Sequence, residues 1–172
     1  MNMGIRTDNT LTCTDFFSEA FVTMPTAVLS GVIHWILTRG AAAYGSVFVV
    51  CGKRDTEHYS ESLYGRYAKL YSRKKAYCIT ADEFKLQQAR IEAESILKEY
   101  LNDYADADLL VITRGERMGK TQKAQKEMLS VFNRLAAEGK QLVVFSSVPP
   151  RCIPGIQPGL LEYLEGSLII EL

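Results

Sequence analysis

The chain has 172 residues, of which 47% are hydrophobic and 23% charged, a balance that suits one globular domain with a sizeable core and excludes a disordered chain. Twenty Lys and Arg offset twenty Asp and Glu, so no overall field draws the chain to nucleic acid or to a membrane. Any such binding has to use a local patch.

Residues 1 to 14 are polar and read as a flexible N-terminal arm, without the basic start and apolar middle of a secretion signal. Residues 15 to 172 read as a single domain. After Pro25, whose fixed φ suits a helix start, Val28, Val32, Ile33, Trp35, Ile36 and Leu37 predict a largely buried helix ending near Arg39-Gly40. The apolar run from Thr26 to Leu37 is short for a bilayer and contains His34, so no membrane span is expected. The four cysteines, Cys13, Cys51, Cys78 and Cys152, lack close pairing and read as reduced thiols of a cytoplasmic protein. His34 and His58 stand in no metal-ligand spacing, and no metal is expected.

Ser46 to Cys51 predicts the first strand, and Gly52 to Tyr59 follows it where α/β folds hold phosphate. Aligned on a phosphate loop, Gly52 takes the first glycine, but Glu57 stands at the second glycine, His58 at the lysine and Tyr59 at the Ser/Thr. A carboxylate there repels phosphate, and neither His58 nor Tyr59 replaces the groups that hold the outer phosphates and magnesium. The next helix carries Tyr59, Leu63, Tyr67 and Leu70 on one stripe and ends in a basic cluster. Tyr67, Lys69, Tyr71, Arg73, Lys74 and Lys75 could stack bases and hold phosphates of a single-stranded nucleic acid. The preferred reading is cations complementing a helix C-terminus, with tyrosines packed on the sheet.

Ala76 to Thr80 predicts a short second strand, and Ala81-Asp82-Glu83 opens a helical region running to about Tyr104. Leu109 to Ile112 and Leu142 to Phe145 are continuous apolar runs, as expected of parallel strands covered on both faces. Between them Ala124, Met128, Val131, Phe132 and Leu135 recur at helical spacing, with Gly139 as the stop. The turn after the first of these strands, GERMGKT, has three residues between Gly115 and Gly119 where a phosphate loop needs four. Gly119 therefore reads as a turn residue with Lys120 and Thr121 starting a helix; nucleotide binding through Gly119, Lys120 and Thr121, with Asp106 or Asp108, is the alternative. Ile156 to Leu164 predicts a helix interrupted near Pro158-Gly159, and Ser167 to Leu172 a fifth strand. The expected fold is an αβα sandwich in three layers around a five-stranded parallel sheet.

The runs LLVITRGERMGKTQ, VFNRLAAEGKQLVVFSSVPP and PGIQPGLLEYLEGSLIIEL, in that order, resemble the central AAA+ ATPase domain of the DnaA/Hda family of bacterial replication initiators. Upstream, Phe16-Phe17, the 26 to 39 segment and FVVCG fall where that family has its entry segment, first helix and phosphate-loop strand. The resemblance implies a P-loop NTPase-like core. It also marks departures at the positions that carry the family's chemistry. Gly52, Glu57, His58 and Tyr59 are vestigial phosphate-loop positions, and Thr113 and Arg114 stand at the magnesium-binding acidic pair. Ser147 replaces a sensor aspartate, the 158 to 163 segment has no arginine, and the chain stops at Leu172, before the helical lid and any duplex-binding domain.

Phosphoryl transfer needs each of these parts. Their joint departure implies a non-catalytic relative with no cofactor, working through contacts with a DnaA-type initiator, another replication protein or a second copy of itself. An ATP/Mg-binding protein with a displaced phosphate site and a single-strand nucleic-acid binder are the two alternatives.

Overall fold

Five short runs with few charges form five parallel strands. In a computed structural model, residues 31, 34, 45–53, 55–84 and 101–172 are described. The strands are β1 (Ser46–Val50), β2 (Ala76–Thr80), β3 (Leu109–Thr113), β4 (Gln141–Ser146) and β5 (Leu168–Glu171). Their order across the sheet is β2-β3-β4-β1-β5, with every neighbouring pair parallel. All residues of β1, β3 and β4 are buried, which is why their sequences do not alternate.

Helix α1 (Thr56–Leu70) covers one face of the sheet, where Leu63 and Tyr67 join Val47, Val49, Val111 and Phe145. Helices α2 (Gln122–Ala137) and α3 (Pro158–Glu165) cover the other with Phe84 and Tyr104, packing Met128, Phe132 and Leu160 on Phe48, Ile112 and Val144. The three-layer αβα sandwich expected from the sequence is thus present.

Local signals explain the element ends. Thr121 caps α2, its hydroxyl accepting from the Ala124 N–H at 3.3 Å. Past the helix, Gly139 takes φ +65°. The Lys140 N–H donates to the Leu135 carbonyl and that of Gly139 to Ala136, at 2.9 and 3.1 Å, which closes the helix with a left-handed glycine. Thr80 and Glu83 form a reciprocal capping box at the start of the helical residues 81–84, at 2.7 and 3.0 Å.

Four expectations need correction. Pro158 does not interrupt a helix but starts α3, because its missing N–H costs nothing in the first turn. Gly119 and Lys120 lie in a 3₁₀ helix, Gly115–Lys120, and α2 starts after Thr121. Leu70 is 64% exposed, since the apolar stripe of α1 reaches the sheet only as far as Tyr67. Cys51 and Cys78 are free thiols, whereas Cys152 is disulfide-bonded, which sequence spacing alone does not reveal. The arm over residues 1 to 14 lies outside the described residues, as does the expected helix between 26 and 39 apart from Gly31 and His34, both helical and exposed.

Candidate functional site

Because all five strands are parallel, their C-terminal ends share one edge, and a crevice at that edge is where open α/β sheets bind ligands. Three segments meet there: residues 51–53 and 55–59 after β1, residues 113–116 at the end of β3, and Ser146-Ser147 at the end of β4. The Cys51 N–H donates to the Ser146 carbonyl at 2.9 Å, which holds the first and third together.

The loop after β1 folds back on itself. The Asp55 N–H donates to the Gly52 carbonyl at 2.8 Å. A Cβ on Gly52 would stand 2.6 Å from Asp55 Oδ2, so the Asp55 carboxylate lies directly over Gly52. Helix α1 starts at once with Thr56, whose hydroxyl donates to the Lys53 carbonyl at 3.3 Å. Glu57 and His58 are exposed, Tyr59 is half-buried, and the rings of His58 and Tyr59 lie 5.8 Å apart.

Thr113 ends β3 and Arg114 follows it. The Thr113 hydroxyl is buried without a hydrogen-bond partner. Arg114 takes a left-handed backbone, φ 57° and ψ 44°. Its guanidinium pairs with Glu57 Oε1 at 2.6 Å, tying the first turn of α1 to the end of β3. Gly115 then passes so close to β4 that a Cβ would meet Val144 at 2.8 Å and Ser146 at 3.0 Å. Glu116, two residues beyond Arg114, accepts from the Ser147 N–H at 3.1 Å. Burial, followed by the Asp55 and Glu116 carboxylates, pushes the Cys51 thiol up to about 12. Asp55 and Glu116 belong to this edge but carry no sequence signal, since only the sheet order brings them beside Cys51.

The other residues considered from the sequence lie elsewhere. Lys120 pairs with Asp82 at 3.1 Å, and Arg117 pairs with the same carboxylate at 3.0 Å. Thr121 is occupied as the α2 cap. Asp106 pairs with Arg134 at 2.6 Å and Asp108 with Lys74 at 3.4 Å, so neither joins Lys120. Gly119 answers to packing: its Cβ would stand 1.9 Å from the Pro154 carbonyl oxygen. The buried Gln125 amide holds the same loop, donating to the Gly155 carbonyl at 3.0 Å and accepting from the Gln157 N–H at 2.7 Å. In the basic cluster, Tyr67 is buried and its ring contacts Tyr71 at 4.8 Å, while Lys69, Tyr71, Arg73, Lys74 and Lys75 are exposed. Among the described residues no group of His, Cys, Asp and Glu is placed to hold a metal ion, and no helix is long and apolar enough to cross a membrane.

Comparison with known proteins gives this edge its context. A family model for the bacterial DnaA ATPase domain matches residues 16–171. The chromosomal replication initiator protein DnaA of Bacteroides fragilis (strain YCH46) is 25% identical over 115 residues, 67% of this chain and 24% of that protein. The chain thus spans about a quarter of that relative's length. The crystal structure of domain III of the Thermotoga maritima replication initiation protein DnaA superposes with a TM-score of 0.77 at 20% identity, covering 92% of this chain and 67% of that one. A replication initiator DnaA bound to AMPPCP and single-stranded DNA also superposes at 0.77, with 20% identity, over 89% of this chain and 48% of that one. The two structures show the same fold, and the family match runs almost end to end: the chain belongs to the bacterial DnaA ATPase-domain family, a domain related to replication initiation.

Proposed function

We propose that this chain is a DnaA-type AAA+ domain that does not hydrolyse ATP and acts through protein contacts in replication initiation or its control. The observation that carries the reading is the 2.6 Å pair between Glu57 and Arg114. By the resemblance, Glu57 stands at a phosphate-loop glycine and Arg114 at a magnesium-binding acid, and here the two carry opposite charges that pair with each other.

The residues around it do not fit a magnesium nucleotide. Asp55 lies over Gly52, so a carboxylate faces the backbone that would wrap phosphate. His58 and Tyr59 offer neither an ammonium nor a small hydroxyl. Thr113 and Arg114 provide no metal-binding oxygen anions. Glu116, the remaining carboxylate of the β3 end, is engaged by the Ser147 N–H.

A domain that keeps its sheet and helices without this chemistry still presents surfaces for assembly. The partner under this reading is a DnaA-type initiator, another replication protein or a second copy. Calorimetric titration with Mg-ATP tests the first half: no heat is expected up to millimolar nucleotide, and saturable micromolar binding overturns it. Co-purification of the tagged chain with the host's initiator tests the second half, and recovery of no replication protein under crosslinking overturns it.

A further inference from the structure

The large hydrophobic side chains left exposed among the described residues are Leu70 and Tyr71, at 64% and 37%. They stand side by side at the end of α1. This helix has 15 residues, so its last turn lies about 20 Å from Glu57 at its start. The end of α1 is therefore a separate surface, at the opposite edge of the sheet from the β1, β3 and β4 termini.

The patch is tied down by hydrogen bonds and is positively charged. The Tyr71 N–H donates to the Tyr67 carbonyl and the Lys74 N–H to the Tyr71 carbonyl, at 2.8 and 2.9 Å. Asp108 accepts from the Lys75 N–H at 3.0 Å and pairs with the Lys74 ammonium at 3.4 Å, which anchors the turn to β3. Lys69, Arg73 and Lys75 are exposed and take part in none of the ion pairs among the described residues. An exposed leucine and a partly exposed tyrosine thus lie beside three cations that make no ion pair among the described residues.

We propose that this end of α1 docks an acidic, hydrophobic segment of a partner protein. Leu70 and the open face of Tyr71 take its apolar side chains, as the centre of a protein interface requires, and Lys69, Arg73 and Lys75 take its carboxylates. Single-stranded nucleic acid fits less well. Base stacking needs successive open aromatic faces, but Tyr67 is 5% exposed and its ring lies against that of Tyr71. A largely exposed leucine offers neither an aromatic stacking face nor a hydrogen-bond donor to phosphate.

The test is fluorescence anisotropy of the full chain with a labelled synthetic peptide of alternating Glu/Asp and Leu/Phe. Binding is expected with a dissociation constant on the order of tens of micromolar at low salt. Leu70→Ser should weaken it at least about tenfold, as should the triple change Lys69→Gln, Arg73→Gln, Lys75→Gln. These side chains are exposed, and circular dichroism of each variant checks that the fold is kept. No binding, or binding indifferent to Leu70→Ser, overturns the proposal. So does tighter binding of oligo(dT) or phosphatidylglycerol vesicles that depends on the cations but not on Leu70, or a dimer of the chain that Leu70→Ser dissolves. None of these outcomes depends on whether Mg-ATP binds, so this proposal and the non-hydrolytic reading can fail separately.

Discussion

Gly119 and Pro154 meet backbone to backbone: a Cβ at position 119 would lie 1.9 Å from the Pro154 carbonyl oxygen, and one on Gly155 would lie 2.6 Å from the Gly119 oxygen. The contact joins the 3₁₀ helix after β3 to the loop before α3. Neither side can yield without moving main chain. Gly119→Ala is therefore expected to cost about 3 kcal/mol or more, by the strain of overpacking a close contact, read as a fall in the denaturant midpoint. Lys120→Ala, next to it, removes an exposed pair with Asp82 and should cost at most about 1 kcal/mol. Equal losses for the two variants would contradict the packing role of Gly119.

Arg114 combines a left-handed backbone with an ion pair, and the two can be separated. Its pairing with Glu57 is about half exposed on both sides, so a double-mutant cycle with Glu57→Gln and Arg114→Gln should give a coupling of about 0.2 to 1 kcal/mol. The backbone term shows in the choice of replacement. Arg114→Val and Arg114→Asn both lose the pair, but a β-branched residue resists φ 57°, so Val should be worse than Asn by about 1 kcal/mol or more.

The buried Thr113 hydroxyl has no hydrogen-bond partner. Desolvating such a group costs about 1 to 3 kcal/mol, and Val has nearly the same shape. Thr113→Val is expected to leave stability unchanged or raise it by about 1 kcal/mol, measured by thermal unfolding. A loss of more than that would mean the hydroxyl is satisfied by a group or water at this site.

Alkaline pH should weaken the fold in a defined window. Burial, then Asp55 and Glu116, push the Cys51 thiol up from 9.0 to about 12, and burial, then Asp108 and Tyr71, push the Tyr67 phenol up from 10.0 to about 12. Both groups keep their protons in the folded chain where the unfolded chain loses them. Their contribution is thus full below pH 9 and is lost as pH rises from 9 to 12. Urea midpoints measured across that range should fall, and Cys51→Ala should flatten the lower part of the slope. At pH 8, Cys51 should resist a thiol reagent until the chain is unfolded.

Much of this architecture is legible one residue at a time. The continuous apolar runs of β1, β3 and β4 need no partner information to predict buried parallel strands. The 3.6-residue period of Ala124, Met128, Phe132 and Leu135 and the glycine at 139 mark α2 and its end, because helix geometry and left-handed backbone are local properties. The motif order resembles that of the DnaA family, and that resemblance alone marks Glu57, His58, Thr113 and Arg114 as site positions.

Tertiary structure alone decided what those residues touch. Glu57 and Arg114 are 57 positions apart and become a pair because β1 and β3 end on the same edge of the sheet. Lys120 of the apparent phosphate loop is drawn to Asp82, and Gly119 is required by Pro154, a residue with no local relation to it. Leu70 continues the helical stripe in sequence but lies uncovered, because whether a stripe is buried depends on how far the opposing sheet extends. Periodicity, capping and motif order are set by neighbours along the chain, whereas charge compensation, close backbone contact and exposure depend on which distant segments the strand order brings together.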